Sequence, residues 1–221
     1  MAGYTLVIGN KNYSSWSLRP WLLLKHFGIP FREVRIPLYT EGSKERIREF
    51  SPAGKVPILL DGELAIWDSL AIGEYLAERH PEAHMWPADA ALRARSRCIS
   101  AEMHSGFGAL RSQMSMNCRR SLPGRGRTPD ALADVARIQA LWSECRQQSA
   151  AKGPFLFGDF SVADAMYAPV VLRFKIYAVE LAPLVRAYVD TILALPELAE
   201  WIQDALAETE IIPAFEPLDQ P

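Results

Sequence analysis

The sequence predicts two units of different class: an α/β domain over residues 1–80 and an all-α helical bundle over residues 89–221, joined by a linker at 81–88. Three observations carry this division. Short β-branched runs alternate with helical patterns in the first 80 residues, and no strand alternation recurs past residue 88. Between them, Pro81-Glu82-Ala83-His84-Met85-Trp86-Pro87 breaks the helical pattern. A chain of 221 residues, 49% hydrophobic, is long for one compact unit and has the apolar content to build two that share an interface.

Residues 4–8 form an apolar, β-branched run ended by Gly9-Asn10, which reads as a buried strand. Ser14, Ser15 and Ser17 then supply several N-caps for a helix carrying Leu18, Trp21, Leu22, Leu23 and Leu24 and closing at Gly28. Pro20 is expected in its first turn, where a missing N–H does no harm. Residues 31–36 read as a second strand and 43–50 as a polar helix. The runs 57–60 and 64–67 flank Asp61-Gly62, a two-residue hairpin signal. Asp68 or Ser69 caps the next helix, which passes through Tyr75 and Leu76 and stops before Pro81. The order βαβ then ββα, with a parallel first pair and an antiparallel hairpin, predicts a small mixed sheet covered by helices, a thioredoxin-like arrangement. Pro57 opens a strand and can take the cis form there. Val56 would then present its N–H and C=O to an extended peptide, as an added strand does.

In the second unit, residues 89–117 read as one long amphipathic stretch and 129–151 as another, striped by Leu132, Val135, Ile138, Leu141 and Trp142. Arg119, Arg120, Arg125 and Arg127 punctuate the Gly/Pro segment between them, which is expected to be a mobile connection. Ser161-Val162-Ala163-Asp164 fits a capping box with Asp in place of Glu. Further helices are expected near Pro183 and Pro196, with a Pro-rich tail after Ile212.

A formal charge of −2, from 24 basic and 26 acidic residues, gives no global field for nucleic acid or a membrane surface. No apolar run is long enough to span a bilayer, and the N-terminus lacks a signal-type core. Cys98, Cys118 and Cys145 are odd in number and widely spaced, without CxxC or a His cluster, which argues against a disulfide framework or a metal site and for a reducing cytoplasm.

Three segments bear chemistry. Tyr13-Ser14-Ser15-Trp16-Ser17 places hydroxyls at a helix start, Lys55-Val56-Pro57 offers main-chain bonds to a peptide, and Asp68-Ser69 offers a carboxylate, a hydroxyl and a second helix start to a charged amino-acid head. With the flanking Ser51-Pro52-Ala53-Gly54, Trp67-Asp68-Ser69-Leu70-Ala71-Ile72 and Ser161-Val162-Ala163-Asp164, their spacing resembles the cytosolic glutathione transferase family over essentially the whole chain. Ser14-Ser15-Trp16-Ser17-Leu18-Arg19 is most similar to the Ser-Ser-Cys-Ser segment of the zeta class, which includes maleylacetoacetate and maleylpyruvate isomerases. Here Trp16 replaces that cysteine, and Pro20-Trp21 departs from the usual continuation.

The resemblance implies a transferase that binds reduced glutathione as co-substrate, requires no metal and pairs as a homodimer. It would add the thiolate to an electrophilic carbon, or act as a glutathione-dependent cis–trans isomerase of a maleyl keto acid; a binding protein that retains the fold is a third reading. A free thiol with pKa near 8.5 is only about 3% ionised at pH 7. Lowering that pKa by roughly two units requires about 2.7 kcal/mol, within reach of one charge-assisted hydrogen bond and a helix N-terminus. By resemblance Ser14 is the candidate donor to sulfur. Ser15, Ser17 and the Tyr13 phenol are alternatives. Ser15, Lys55, Val56, Asp68 and Ser69 would bind the tripeptide, with Asp68 on its ammonium and Ser69 on the γ-glutamyl carboxylate. Arg111, and Arg173 in Arg173-Phe174-Lys175, are candidates for carboxylates of the second substrate, and His104 is a further candidate.

Overall fold

The structure, a computed structural model, describes residues 3–216. Strand β1 (Tyr4–Ile8) leads through helix α1 (Ser15–His26) to β2 (Phe31–Arg35), helix α2 (Ser43–Arg48), the hairpin β3 (Ile58–Asp61) and β4 (Leu64–Trp67), and helix α3 (Ser69–Arg79). The sheet order is β2-β1-β3-β4, with β1 parallel to β2 and both other pairs antiparallel. The βαβ-ββα expectation therefore describes this part. Asp61 pairs with Leu64, so the hairpin loop is Gly62-Glu63, one residue later than the Asp61-Gly62 reading. Gly62 takes φ +60°, the left-handed value that a two-residue loop needs at its first position. The Val56–Pro57 bond is cis.

Six further helices follow among the described residues: α4 (Ala90–Ser105), α5 (Gly108–Gln113), α6 (Pro129–Ser149), α7 (Val162–Ile176), α8 (Pro183–Leu193) and α9 (Pro196–Ala207). The stretch 89–117 is not one helix. Gly106 is extended, and a Cβ there would stand 2.7 Å from the Glu102 carbonyl oxygen, while Phe107 takes φ +56°. The chain turns between α4 and α5, a break that amphipathic periodicity alone does not reveal. Pro20 also departs from expectation, lying within α1 rather than in its first turn. It removes the amide that would bond the Trp16 carbonyl four residues back. The capping box at Ser161 and Asp164 is present. Of the tail, residues 213–215 form a short turn of 3-10 helix, and 217–221 lie outside the described residues.

One apolar cluster runs from Leu6 and Ile8 through α1 into α6, α7 and α8. At its centre the Trp142 ring meets Tyr167, Phe174 and Tyr188 at centroid distances of 5.5, 5.4 and 5.0 Å. Val7, Ile36, Ile47 and Ile58 pack as a smaller cluster. Each fully buried Leu or Ile contributes roughly 1.5–3 kcal/mol relative to an exposed one. Packing of α1 against α7 fixes the start of α1 relative to the helical half.

Candidate functional site

Ser14 is the N-cap of α1, its Oγ accepting the Ser17 N–H at 3.3 Å. The two hydroxyl oxygens stand 2.7 Å apart, and Ser17 Oγ also accepts the Gly9 N–H at 3.1 Å. Ser17 is wholly buried, so its single proton finds an acceptor in Ser14. That assignment leaves the Ser14 proton free to point outward. The Trp16 N–H, on the same first turn, has no acceptor among the described residues. A hydroxyl proton and a free amide at a helix N-terminus make an anion-accepting corner.

The start of α3 supplies a second such corner. Asp68 caps it, Oδ1 accepting the amides of Leu70 at 2.9 Å and Ala71 at 3.2 Å, while the Ser69 N–H has no acceptor among the described residues. Asp68 sits at φ +80°, a conformation that costs a non-glycine residue of order 1–3 kcal/mol. Its Oδ2 lies 3.1 Å from His104 Nε2, joining α3 to α4. Val56 lies two residues before Ile58, at the end of the sheet where β1 and β4 give way to α1 and α3. Its N–H and C=O make no hydrogen bond among the described residues. Lys55 beside it is exposed and also unpartnered.

Arginines converge on the first turn of α1. Arg173 Nη2 donates to Ser15 Oγ at 3.3 Å, and its other nitrogens donate to the Met114 and Pro169 carbonyls at 2.9 and 3.3 Å. Arg111 donates to the carbonyls of His104 and Gly106. The Trp16 ring has Arg19 Cζ at 4.2 Å and Arg111 Cζ at 5.4 Å from its centroid, with His104 edge-on at 5.3 Å. Arg19 Nη1 donates to Ser69 Oγ at 3.2 Å, linking α1 to α3. Burial, together with the charges of Arg173 and Arg111, brings Arg19 down to about 9. Burial and Arg111 bring Arg173 to about 10, and burial lowers Arg111. Neighbouring cations thus oppose one another's protonation at a place with few carboxylates.

The Tyr13 phenol is committed elsewhere. It donates to Glu216, accepts from Arg119 Nη2 at 2.7 Å and from the Ile212 N–H at 3.4 Å, and is raised by burial and by Glu216. Arg119 also donates to the Glu208 and Glu210 carbonyls, both at 2.8 Å, so the segment expected as a mobile connection is tied to residues 208–216 at this point. Burial pushes the Cys118 thiol up to about 12 and Cys145 to about 11, removing both as nucleophiles at neutral pH.

The structure thus links Ser15, Asp68, Ser69, Arg111, Arg173 and His104 directly or through Arg19 and Trp16, with Ser14 next to Ser15 in the chain and bonded to Ser17, while Lys55 and Val56 show no contact with them among the described residues. Sequence reasoning missed Arg19 as a participant. Its signal was a lone cation between Leu18 and Pro20 on a helix face otherwise fit for the core.

This geometry, a thioredoxin-like sheet whose two helix starts face a helical bundle, recurs in solved structures. A glutathione transferase homolog from Burkholderia gl BGR1, with bound glutathione, superposes with TM-score 0.68 at 25% identity, covering 93% of this chain and all of the other. Glutathione transferase Omega 3C from Trametes versicolor shares the fold with TM-score 0.70 at 21% identity, over 95% of this chain and 91% of that one. Residues 13–79 match the family model for the glutathione S-transferase N-terminal domain, and 90–204 that for the C-terminal domain. The chain belongs to the glutathione S-transferase family. Among its relatives, a probable maleylacetoacetate isomerase of Caenorhabditis elegans is 31% identical over 172 residues, 76% of this chain and 78% of that protein. Maleylacetoacetate isomerase of Rattus norvegicus is 31% identical over 173 residues, 76% and 77% of the two chains. Among the described residues, no helix is long and apolar enough to cross a membrane.

Proposed function

We propose that the protein is a glutathione transferase in which Ser14 stabilises the thiolate of bound glutathione. The observation that carries the reading is the Ser14–Ser17 pair, 2.7 Å apart, in which donation by the buried Ser17 hydroxyl would leave the Ser14 proton available to a ligand. Glutathione supplies a thiol that becomes a strong nucleophile on ionisation. The Ser14 hydroxyl donates to the sulfur and the Trp16 amide adds the partial charge of the helix start. Ser14 is a donor and not a base. Val56 pairs with the peptide main chain through its free N–H and C=O, Ser69 takes the γ-glutamyl carboxylate through its hydroxyl and free amide, and Asp68 takes the ammonium. Ser15 lines the site beneath the sulfur, and Lys55 extends to the glycyl carboxylate. In this reading residues 1–80 hold glutathione, 81–88 link, and 89–221 receive the electrophile, in a cytoplasmic homodimer.

A second reading, cis–trans isomerisation of an unsaturated diacid, is favoured by Arg173 bonded to Ser15 and Arg111 near the Trp16 ring, each within electrostatic reach of the first turn of α1. Carboxylates would neutralise guanidinium groups that now repel one another. In that route the thiolate adds to the double bond, rotation follows, and elimination returns glutathione unconsumed. Calorimetry with reduced glutathione tests the common premise: saturable binding is expected, and no heat at millimolar concentration overturns it. Turnover of a maleyl keto acid against a chlorinated aromatic acceptor separates the two reactions.

A further inference from the structure

Glu208 directly follows α9, and its side chain is only 5% exposed. Its carboxylate reaches back to the loop between β1 and α1, Oε1 accepting the Lys11 N–H at 2.6 Å and Oε2 the Asn12 N–H at 3.1 Å. Neither amide has another acceptor among the described residues. Arg35 Nη1 stands 3.4 Å from Oε1. Burial holds the Glu208 carboxyl above its ordinary value even against these donors. A carboxylate taken out of water is unfavourable unless its bonds offset the lost hydration, and the two shorter bonds here go to the backbone of one loop.

That loop ends at Ser14. The Asn10 carbonyl accepts the Tyr13 N–H at 3.2 Å and the Ser14 N–H at 2.8 Å, which closes residues 10–14 into a turn. The carbonyls inside the turn are held from outside as well, Lys11 by the Trp201 indole N–H at 3.0 Å and Asn12 by the Cys118 amide at 3.3 Å. Both amides and both carbonyls of residues 11 and 12 are thus bonded to residue 118 or later. The segment bearing Glu208 is itself fastened, by Arg119 on the Glu208 and Glu210 carbonyls and by Arg35 Nη2 on Glu210 Oε1, all at 2.8 Å.

We infer that Glu208 is a positioning residue for the hydroxyl that stabilises the thiolate: by bonding both amides inside the 10–14 turn, it fixes the point at which Ser14 begins α1. The inference rests on the role of Ser14 proposed above, and it extends the machinery of the thioredoxin-like half to a residue past the last long helix of the other half. Two effects of Glu208 on the sulfur have opposite signs. As a charge it can only oppose a thiolate; as a clamp on the turn it favours one. Removing the side chain separates them by the direction of the change.

The test titrates the ultraviolet absorbance of the thiolate against pH in the glutathione-saturated protein. Glu208→Ala should raise the midpoint by about one unit, a tenfold loss of thiolate below it. Its kcat should fall in step, while the glutathione Kd by calorimetry changes by less than about threefold. Glu208→Gln, which keeps one acceptor and loses the charge, should raise the midpoint by less. Arg35→Met, which loosens Glu208 without touching the turn, should move it in the same direction.

An unmoved midpoint in Glu208→Ala, with melting temperature lowered or not, leaves Glu208 a structural residue and overturns the inference. A lowered midpoint means that only its charge acts, and overturns it equally. If the alanine variant does not fold, the same two outcomes in Glu208→Gln and Arg35→Met decide. A wild-type protein that binds no glutathione, or a Ser14→Ala midpoint equal to that of wild type, instead overturns the proposed thiolate site on which the inference rests.

Discussion

Replacing Ser14 by alanine removes the hydroxyl partner of Ser17 2.7 Å away and, beside it, two interactions whose sizes can be separated. The first is the N-cap bond from the Ser17 amide at 3.3 Å, worth about 1 kcal/mol of helix stability. The second is the hydroxyl bond to the thiolate, about 1.5–3 kcal/mol for a hydrogen bond to a charged group. At 1.36 kcal/mol per pKa unit, the second loss raises the thiol pKa of bound glutathione by about 1 to 2 units. Below both pKa values the thiolate fraction, and with it kcat/KM, falls by about tenfold to a hundredfold. The ultraviolet absorbance of the thiolate, titrated against pH in the saturated complex, reads the shift directly and independently of turnover. Ser17→Ala, which withdraws the proton donor behind Ser14, should shift the midpoint in the same direction by less. A midpoint unmoved in Ser14→Ala, with glutathione still bound, would refute the assignment of Ser14 and of the proton order between the two serines.

Three further outcomes follow from the same geometry. Asp68→Asn retains the oxygen that caps α3 but loses the charge facing His104, so stability measured by urea unfolding should change by less than about 1 kcal/mol, while glutathione affinity drops about tenfold by calorimetry. Arg111→Met should lower kcat/KM for a maleyl keto acid by about tenfold or more and leave a neutral chlorinated aromatic nearly unaffected; equal losses on both would sink the carboxylate role. Asp164 accepts from the Leu156 and Ser161 amides and the Ser161 hydroxyl at 3.0, 2.9 and 2.8 Å, yet burial raises its carboxyl to about 6. The folded state therefore holds this proton more tightly than the unfolded chain. Its contribution to stability is full below about pH 4 and is lost as pH rises through 6, on the order of 3 kcal/mol. Denaturant midpoints between pH 4 and 7 should show this decline, and Asp164→Asn, though less stable, should lack it.

The elements were legible wherever their cause is local. Two turn-forming residues set the β3–β4 hairpin to within one position, Ser161 and Asp164 announced the start of α7, and Pro183 and Pro196 marked α8 and α9. Gly106 was missed because its signature is a close approach to the Glu102 carbonyl, which apolar periodicity does not encode.

By itself the sequence determined the order of strands and helices, the two helix starts and the serine and aspartate segments on them, since caps, turns and periodicity act over a few residues. Tertiary structure alone decided what the Tyr13 phenol bonds to. The folded chain joined Tyr13 to Glu216, 203 residues away, and to Arg119, 106 residues away. It also set Arg173 against Ser15 across 158 residues and Arg19 against Ser69 across 50. These pairings depend on how α1 is rotated against α3 and α7, which is settled by close packing of the shared core. A linear pattern fixes the buried face of each helix but not the neighbour its polar groups will meet.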